Sequence, residues 1–302
     1  MAGSLVSVRG VRPELLTSSK SSDGEFLSYK TLQPGEPAGV GEGCCALAVM
    51  AKAPRPGKVK TRLSPPLTPE QASALNICFI RDTTENIDQV TEGSNCAGIV
   101  VYTPIGEEAA FDGLLPRGFQ LLRQRGDGFG ERLLYACEDL FACGFGAVCL
   151  IDSDSPTMPQ AALSQAVAWL ARTGDRVVLG GSDDGGYYLI GVKRMHPRLF
   201  ERVDWSTERV LAQTLERARE ISLETALLPT WYDVDDAATL ERLRRELSPA
   251  AGEAAPNSAA SNGAASNGAG YDAKHTRRYL ESLQAQQIAD ARRPAFTASN
   301  SW

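Results

Sequence analysis

Five cations, Lys52, Arg55, Lys58, Lys60 and Arg62, fall within the eleven residues Lys52-Ala-Pro-Arg-Pro-Gly-Lys-Val-Lys-Thr-Arg62 of a chain whose formal net charge is −6. Pro54 and Pro56 stiffen this segment, and Gly57 lets a backbone come close to a ligand. Arginine supplies a planar fork and lysine a point charge, a combination suited to a pyrophosphate. Lys52, Gly57, Lys58, Lys60 and Arg62 are therefore the candidate nucleotide- and phosphate-binding residues. The G-x-x-x-x-G-K-[ST] pattern of a Walker loop is absent. The plainer alternative is a solvated charged loop.

Acidic residues form three further groups. Asp152-Ser153-Asp154 follows an apolar run, and two carboxylates two residues apart on such a turn can reach one hard cation, Mg²⁺ or Mn²⁺. The alternative is a turn whose aspartates cap backbone amides. Gly180-Gly-Ser-Asp-Asp-Gly-Gly-Tyr187 sets four glycines around two acids, so its backbone passes close to another group. Asp184, with Asp183 behind it, is the candidate to orient or deprotonate a substrate hydroxyl. In Trp231-Tyr-Asp-Val-Asp-Asp236, alternation along an extended segment puts Asp233 and Asp235 on one side, either able to complete a metal shell. Asp127, in Gly126-Asp-Gly128, belongs to a tight loop near a base or ribose, or to a plain helix-entry turn. Trp205 and Tyr187 are the aromatic candidates for contact with an acceptor, with core packing an equal reading for Trp205.

The elements that must position these residues are legible from periodicity and caps. Cys45–Met50 is a near-continuous apolar run, as expected of a strand covered on both faces. Thr68-Pro69-Glu70-Gln71 predicts a helix start with a capping box, running to about Val90. Strands are predicted at 97–102, 119–122, 147–151, 176–179 and 187–192, with an extended segment at 227–234. Helices are predicted after Gly130, at 159–172 and 207–220, and at 236–247 with Asp236 as cap. Alternating strands and helices predict an α/β fold with a mostly parallel sheet flanked by helices. Residues 1–42 read as an N-terminal extension outside the main fold, 43–248 as the single core domain, 249–272 as a low-complexity linker, and 273–302 as a helical, mobile tail.

Bulk composition limits the choices. With 302 residues, 43% hydrophobic and 23% charged, the chain can bury a sizeable core. The acidic balance argues against an extended nucleic-acid surface, and no apolar run is long enough for a bilayer. Seven cysteines without a C-x-x-C pair, most of them in apolar runs, predict reduced thiols and a cytoplasmic setting. Two histidines, His196 and His275, leave no material for a histidine-rich metal site.

The ordered motifs carry a family resemblance. Met50–Leu63, Gly126–Leu133, Asp154-Ser-Pro156, Asp184-Gly-Gly-Tyr-Tyr-Leu-Ile-Gly191, Asp204-Trp-Ser-Thr207 and Asp233-Val-Asp235 resemble, in order, a bacterial group of glycosyltransferases with the GT-A fold, associated with arsenosugar biosynthesis or selenium-linked gene clusters. The resemblance spans roughly 45–247. It implies a single Rossmann-like GT-A domain, a nucleotide-diphosphate sugar donor, a small-molecule acceptor, a divalent metal and kinship with cofactor nucleotidyltransferases. It makes Asp154 the dependable acid, while Asp152 stands where the group often has Gly or Asn. Glycosyl transfer is the leading expectation. Nucleotidyl transfer with pyrophosphate release is the alternative, and a non-catalytic nucleotide-binding module the third.

Overall fold

A computed structural model describes residues 29–248 and 269–291. The expectations for 1–28, for most of the low-complexity linker and for 292–302 lie outside the described residues.

Seven strands form one mixed sheet: β1 (Cys45–Lys52), β2 (Cys96–Thr103), β3 (Gln120–Arg123), β4 (Ala147–Ile151), β5 (Arg176–Ser182), β6 (Tyr187–Val192) and β7 (Glu224–Trp231). Their order is β3-β2-β1-β4-β6-β5-β7, with only β6 antiparallel to its neighbours. The helices are α1 (Pro69–Thr91), α2 (Phe129–Ala142), α3 (Gln160–Ala171), α4 (Val210–Glu220), α5 (Ala237–Leu247) and α6 (Lys274–Ala291). The mostly parallel, helix-flanked sheet is the expected architecture.

β1 shows why its run is apolar throughout. Cys45, Leu47, Val49 and Ala51 point to one face, into a cluster with Ile80 and Ile87 of α1 and Leu163 and Leu170 of α3. Ala46 and Ala48 point to the other, toward Leu133, Cys137 and Leu140 of α2 and Ala218 of α4. A side-chain period of two thus feeds two cores from one strand. The start of α1 is the predicted capping box: Thr68 Oγ1 accepts from the Gln71 amide at 3.2 Å, and Gln71 Oε1 accepts from the Thr68 amide at 2.9 Å. Asp236 caps α5 in the same manner, accepting from the Thr239 amide at 2.8 Å.

Two boundaries differ from expectation. Residues 29–42 belong to the fold: Thr31 pairs in parallel with Leu121 of β3, and Leu32 and Ala38 are buried beside α2. Leu32 is a lone anchor in a polar stretch, too weak a pattern to announce itself. The segment after the linker is also docked. Leu280 and Leu283 of α6 join Leu75 and Phe79 of α1 and Leu240 and Leu243 of α5 in a third core. The expected helix is present, and over the described residues it is docked against α1 and α5. None of the helices among the described residues is long and apolar enough to cross a membrane.

Candidate functional site

After β1 the chain moves outward to β2 and β3, then returns to place β4 on the other side of β1. That reversal opens a crevice at the carboxyl ends of β1 and β4, where open α/β sheets take ligands. The cation-rich loop leaves the end of β1, and Asp152–Asp154 leaves the end of β4. Between them lies a cleft of about 350 Å³, lined by Lys52, Lys58, Lys60, Arg62, Asp154 and Asp235. Lys60 and Asp235, 175 residues apart in sequence, meet only in the fold.

Lys60 holds the centre of this arrangement. Its Nζ lies 2.9 Å from Asp154 Oδ1, 3.0 Å from Asp235 Oδ1 and 2.8 Å from the Val234 carbonyl oxygen. Only 4% of its side chain is exposed. Burial works against the charge, but the two carboxylates outweigh it and hold the ammonium above the ordinary lysine range. In the described state Lys60 is the counter-ion of the two acids. Arg62 stays largely exposed, with Nη1 4.0 Å from Asp235 Oδ2. Lys52 and Lys58 are exposed at the rim, and Gly57 turns the loop at φ 70°.

The other acids divide by position. Asp152 lies behind the cleft, where Oδ1 accepts from the Asp154 amide at 3.3 Å and Oδ2 from the Ser155 hydroxyl at 2.9 Å. Burial first, then the charge of Asp154, pushes its carboxyl well above the usual range. Its observed contacts are those of the amide-capping turn, and Asp154 alone of the pair lines the cleft. Asp233 and Asp235 follow the end of β7 at Trp231 and meet different partners, Ser182 and Lys60. Asp233 accepts from the Ser182 hydroxyl at 3.1 Å, and burial, followed by Asp184 and Asp235, raises its carboxyl.

Asp183 pairs with Arg242 of α5 at 2.5 Å and is not among the residues lining the cleft. Asp184 is exposed and accepts from the Gly186 amide at 2.8 Å, closing its own turn. The tight glycines there have a definite cause: a Cβ at Gly185 would stand 2.1 Å from the Glu208 carbonyl oxygen. Asp127 is exposed, and its contribution is backbone: its amide donates to Glu131 Oε2 at 2.9 Å.

Trp205 and Tyr187 serve packing. Trp205 lies against Gly130 so closely that a Cβ there would meet its Nε1 at 2.2 Å. The Tyr187 ring stands edge-on to Trp205 at 6.4 Å, with its buried hydroxyl unpartnered. The aromatic residue at the cleft is Phe129, exposed and edge-on to Trp205 at 5.6 Å.

Sequence reasoning missed Asn76, Phe129 and Arg132, which line the same cleft. Asn76 is nearly fully buried and its Oδ1 has no partner. A polar residue on the apolar stripe of α1, between Ala72 and Phe79, is the signal that could have exposed it. Arg132 donates to the Gly126 and Asp127 carbonyls at 3.2 and 3.4 Å, and nothing in its local sequence marks it.

Among the described residues, one set of three metal-ligand-type side chains lies within 4.8 Å of one another, Asp82, Glu85 and His275. Its contacts are structural. Asp82 accepts from the His275 and Thr276 amides at 3.0 and 2.8 Å, capping α6, while Glu85 pairs with His275 at 2.7 Å and Lys274 at 2.8 Å.

Comparison with known proteins follows the same outline. Residues 86–207 match a family described as an uncharacterized protein conserved in bacteria, DUF2064. A crystal structure from Desulfovibrio desulfuricans G20, described as a "putative nucleotide-diphospho-sugar transferase", is 26% identical and superposes with a TM-score of 0.64, covering 82% of this chain and 98% of that one. Two structures lie further off. CMP:2-keto-3-deoxy-manno-octonic acid synthetase complexed with CTP is 13% identical, covers 67% of this chain and 97% of its own, and has a TM-score of 0.43. Glucosyl-3-phosphoglycerate synthase from Mycobacterium tuberculosis, in complex with Mn²⁺, UDP and phosphoglyceric acid, is 13% identical, covers 71% and 81%, and has a TM-score of 0.41. No curated protein matches the chain. The fold is thus that of the nucleotide-diphospho-sugar transferases, a mixed and mostly parallel sheet between helices.

Proposed function

We propose that this chain is a glycosyltransferase that binds the diphosphate of a nucleotide-sugar donor in the β1–β4 cleft and passes the sugar to a small acceptor. The observation that carries this reading is the juxtaposition of Lys60, Asp154 and Asp235 beneath a basic rim at the switch point of the sheet. The 26% identical relative with the same fold supports it.

In this reading Lys52, Lys58, Arg62 and Arg132 draw the diphosphate into the cleft and orient it. Fixed cations there stabilise the charge that develops on the departing phosphate as the glycosidic bond breaks, without reorganisation during the reaction. Asp154, Asp235 and the Val234 carbonyl offer a seat made wholly of oxygen, already occupied by a cation in the form of the Lys60 ammonium. That donor chemistry fits Mg²⁺ or Mn²⁺. A bound divalent ion would neutralise charge on the diphosphate. In this reading Asp184, exposed on its turn, takes the proton from an acceptor hydroxyl. Phe129, in place of Trp205 or Tyr187, offers the ring that an acceptor or base would meet. Seven free cysteines, with Cys45 and Cys149 Sγ atoms 4.0 Å apart and unbonded, support a reducing, cytoplasmic setting.

Nucleotidyl transfer is the second reading, favoured by four rim cations where a diphosphate needs fewer. The purified protein would be incubated with Mn²⁺ or Mg²⁺, nucleotide sugars, nucleoside triphosphates and a panel of acceptors. Release of nucleoside diphosphate with transfer of the sugar is the expected result. Pyrophosphate release would replace it with nucleotidyl transfer, and tight nucleotide binding without turnover would leave a binding module.

A further inference from the structure

The Lys60 ammonium has three protons and three oxygen partners, Asp154 Oδ1, Asp235 Oδ1 and the Val234 carbonyl, all within 3.0 Å. Its donor capacity is filled by protein. The side chain reaches this seat beneath the ring of Phe79, with Nζ 5.4 Å from the ring centroid. A divalent cation using the same oxygens must evict the ammonium, because two unscreened cations at that separation repel strongly. The evicted charge then needs a new anion. The cleft beside it is rimmed by Lys52, Lys58 and Arg62, so the anion this site admits is a phosphate.

Two features of the surroundings point the same way. Lys60 holds a left-handed backbone, φ 47° and ψ 39°, which is uncommon away from glycine and is retained where surrounding contacts enforce it. Asn76, one turn before Phe79, lines the same cleft and keeps a buried Oδ1 with no partner. A buried acceptor left unpaired costs stability until a ligand reaches it.

We propose that Lys60 is a resident counter-ion which a divalent cation and a phosphoanion displace together. The cation takes the Asp154–Asp235 seat and the phosphoanion takes the lysine. Metal alone binds poorly because Lys60 occupies its seat, and phosphoanion alone binds poorly because Lys60 is committed to the acids. The two ligands therefore bind with positive coupling, reciprocal in both directions. This rests on reading the cleft as a diphosphate site, but not on which bond is transferred.

The test is Mn²⁺ binding to the full chain, read as loss of the free-ion electron paramagnetic resonance signal, with and without inorganic pyrophosphate and against a protein-free pyrophosphate control. Lys60→Met is expected to bind Mn²⁺ alone about tenfold more tightly than the wild type, a factor typical of site-to-site coupling. Adding Asp154→Asn to Lys60→Met should abolish that gain. Pyrophosphate should strengthen Mn²⁺ binding to the wild type and do so less for Lys60→Met. Lys60→Gln is neutral yet keeps an amide NH2 to donate to the acids, and carries the same comparison if the methionine variant does not fold. Equal or weaker Mn²⁺ binding by the neutral variants, or strong binding by the wild type without pyrophosphate, would overturn the proposal. Mn²⁺ displacement of the expected kind with no turnover of nucleotide sugars would instead sink glycosyl transfer and leave this coupling in place.

Discussion

Lys60 and Asp154 form an ion pair of 2.9 Å across 94 residues of sequence, with the lysine side chain almost wholly buried and the aspartate one-third exposed. A buried ammonium that loses a carboxylate is left partly uncompensated. Asp154→Asn is therefore expected to lower stability by about 1–3 kcal/mol, the range for stranding a buried hydrogen-bonding group. Chemical denaturation measures this, and an unchanged midpoint would mean that solvent already screens the pair.

Asn76 joins the cleft wall without a partner for its Oδ1. Replacing it with leucine removes an unsatisfied acceptor at nearly constant volume. Asn76→Leu should raise the stability of the ligand-free protein by about 1 kcal/mol while weakening nucleotide binding several-fold. Thermal unfolding and calorimetric titration with nucleotide sugars read the two effects separately. Lower stability together with undiminished binding would contradict the assignment.

Arg132 and Lys58 both line the cleft, though only Lys58 belongs to the basic loop. Arg132→Ala and Lys58→Ala are each expected to reduce pyrophosphate affinity, with the loss shrinking as salt is raised. Titrations at low and high ionic strength decide it. Insensitivity of Arg132→Ala would confine phosphate binding to the loop.

Trp205 covers Gly130, where an added Cβ would meet the indole nitrogen at 2.2 Å. Gly130→Ala should expel the indole and cost about 1–3 kcal/mol, as overpacking does. The tryptophan emission should shift to longer wavelength as the ring gains solvent. A variant of wild-type stability and emission would show that Trp205 is mobile rather than packed.

The docking of α6 depends on Glu85, held by His275 at 2.7 Å and by Lys274 at 2.8 Å. Burial opposes the charge of Glu85, but these partners prevail and its carboxyl lies below the usual glutamate value. A depressed carboxyl contributes stability above its unfolded value and loses it as pH falls through the folded one. Glu85→Gln should therefore weaken amide-exchange protection in α6 at neutral pH. The difference from wild type should shrink as pH falls through the ordinary glutamate range and vanish below the depressed value of the folded state. No difference from wild type at neutral pH would assign the docking to the Leu280 and Leu283 contacts alone.

The sequence by itself determined the sheet, the helix caps and the loops that bear chemistry. Those signals are local: the apolar run of β1, the Thr68–Gln71 box, the Asp236 cap, and the clustered cations of residues 52–62. It also marked Asp154 and Asp235 as acids worth watching. Only the tertiary structure decided what each faces. Strand alternation grouped Asp233 with Asp235, and the fold gives them different partners, Ser182 and Lys60. Asp183 was a candidate for chemistry until α5 brought Arg242 to it. Leu32 and α6 looked peripheral because the surfaces they cover belong to elements far away in sequence. Lys60 shows the reason most directly. Its charge was legible, but whether it meets a phosphate or two carboxylates depends on loops from three strands arriving at one point.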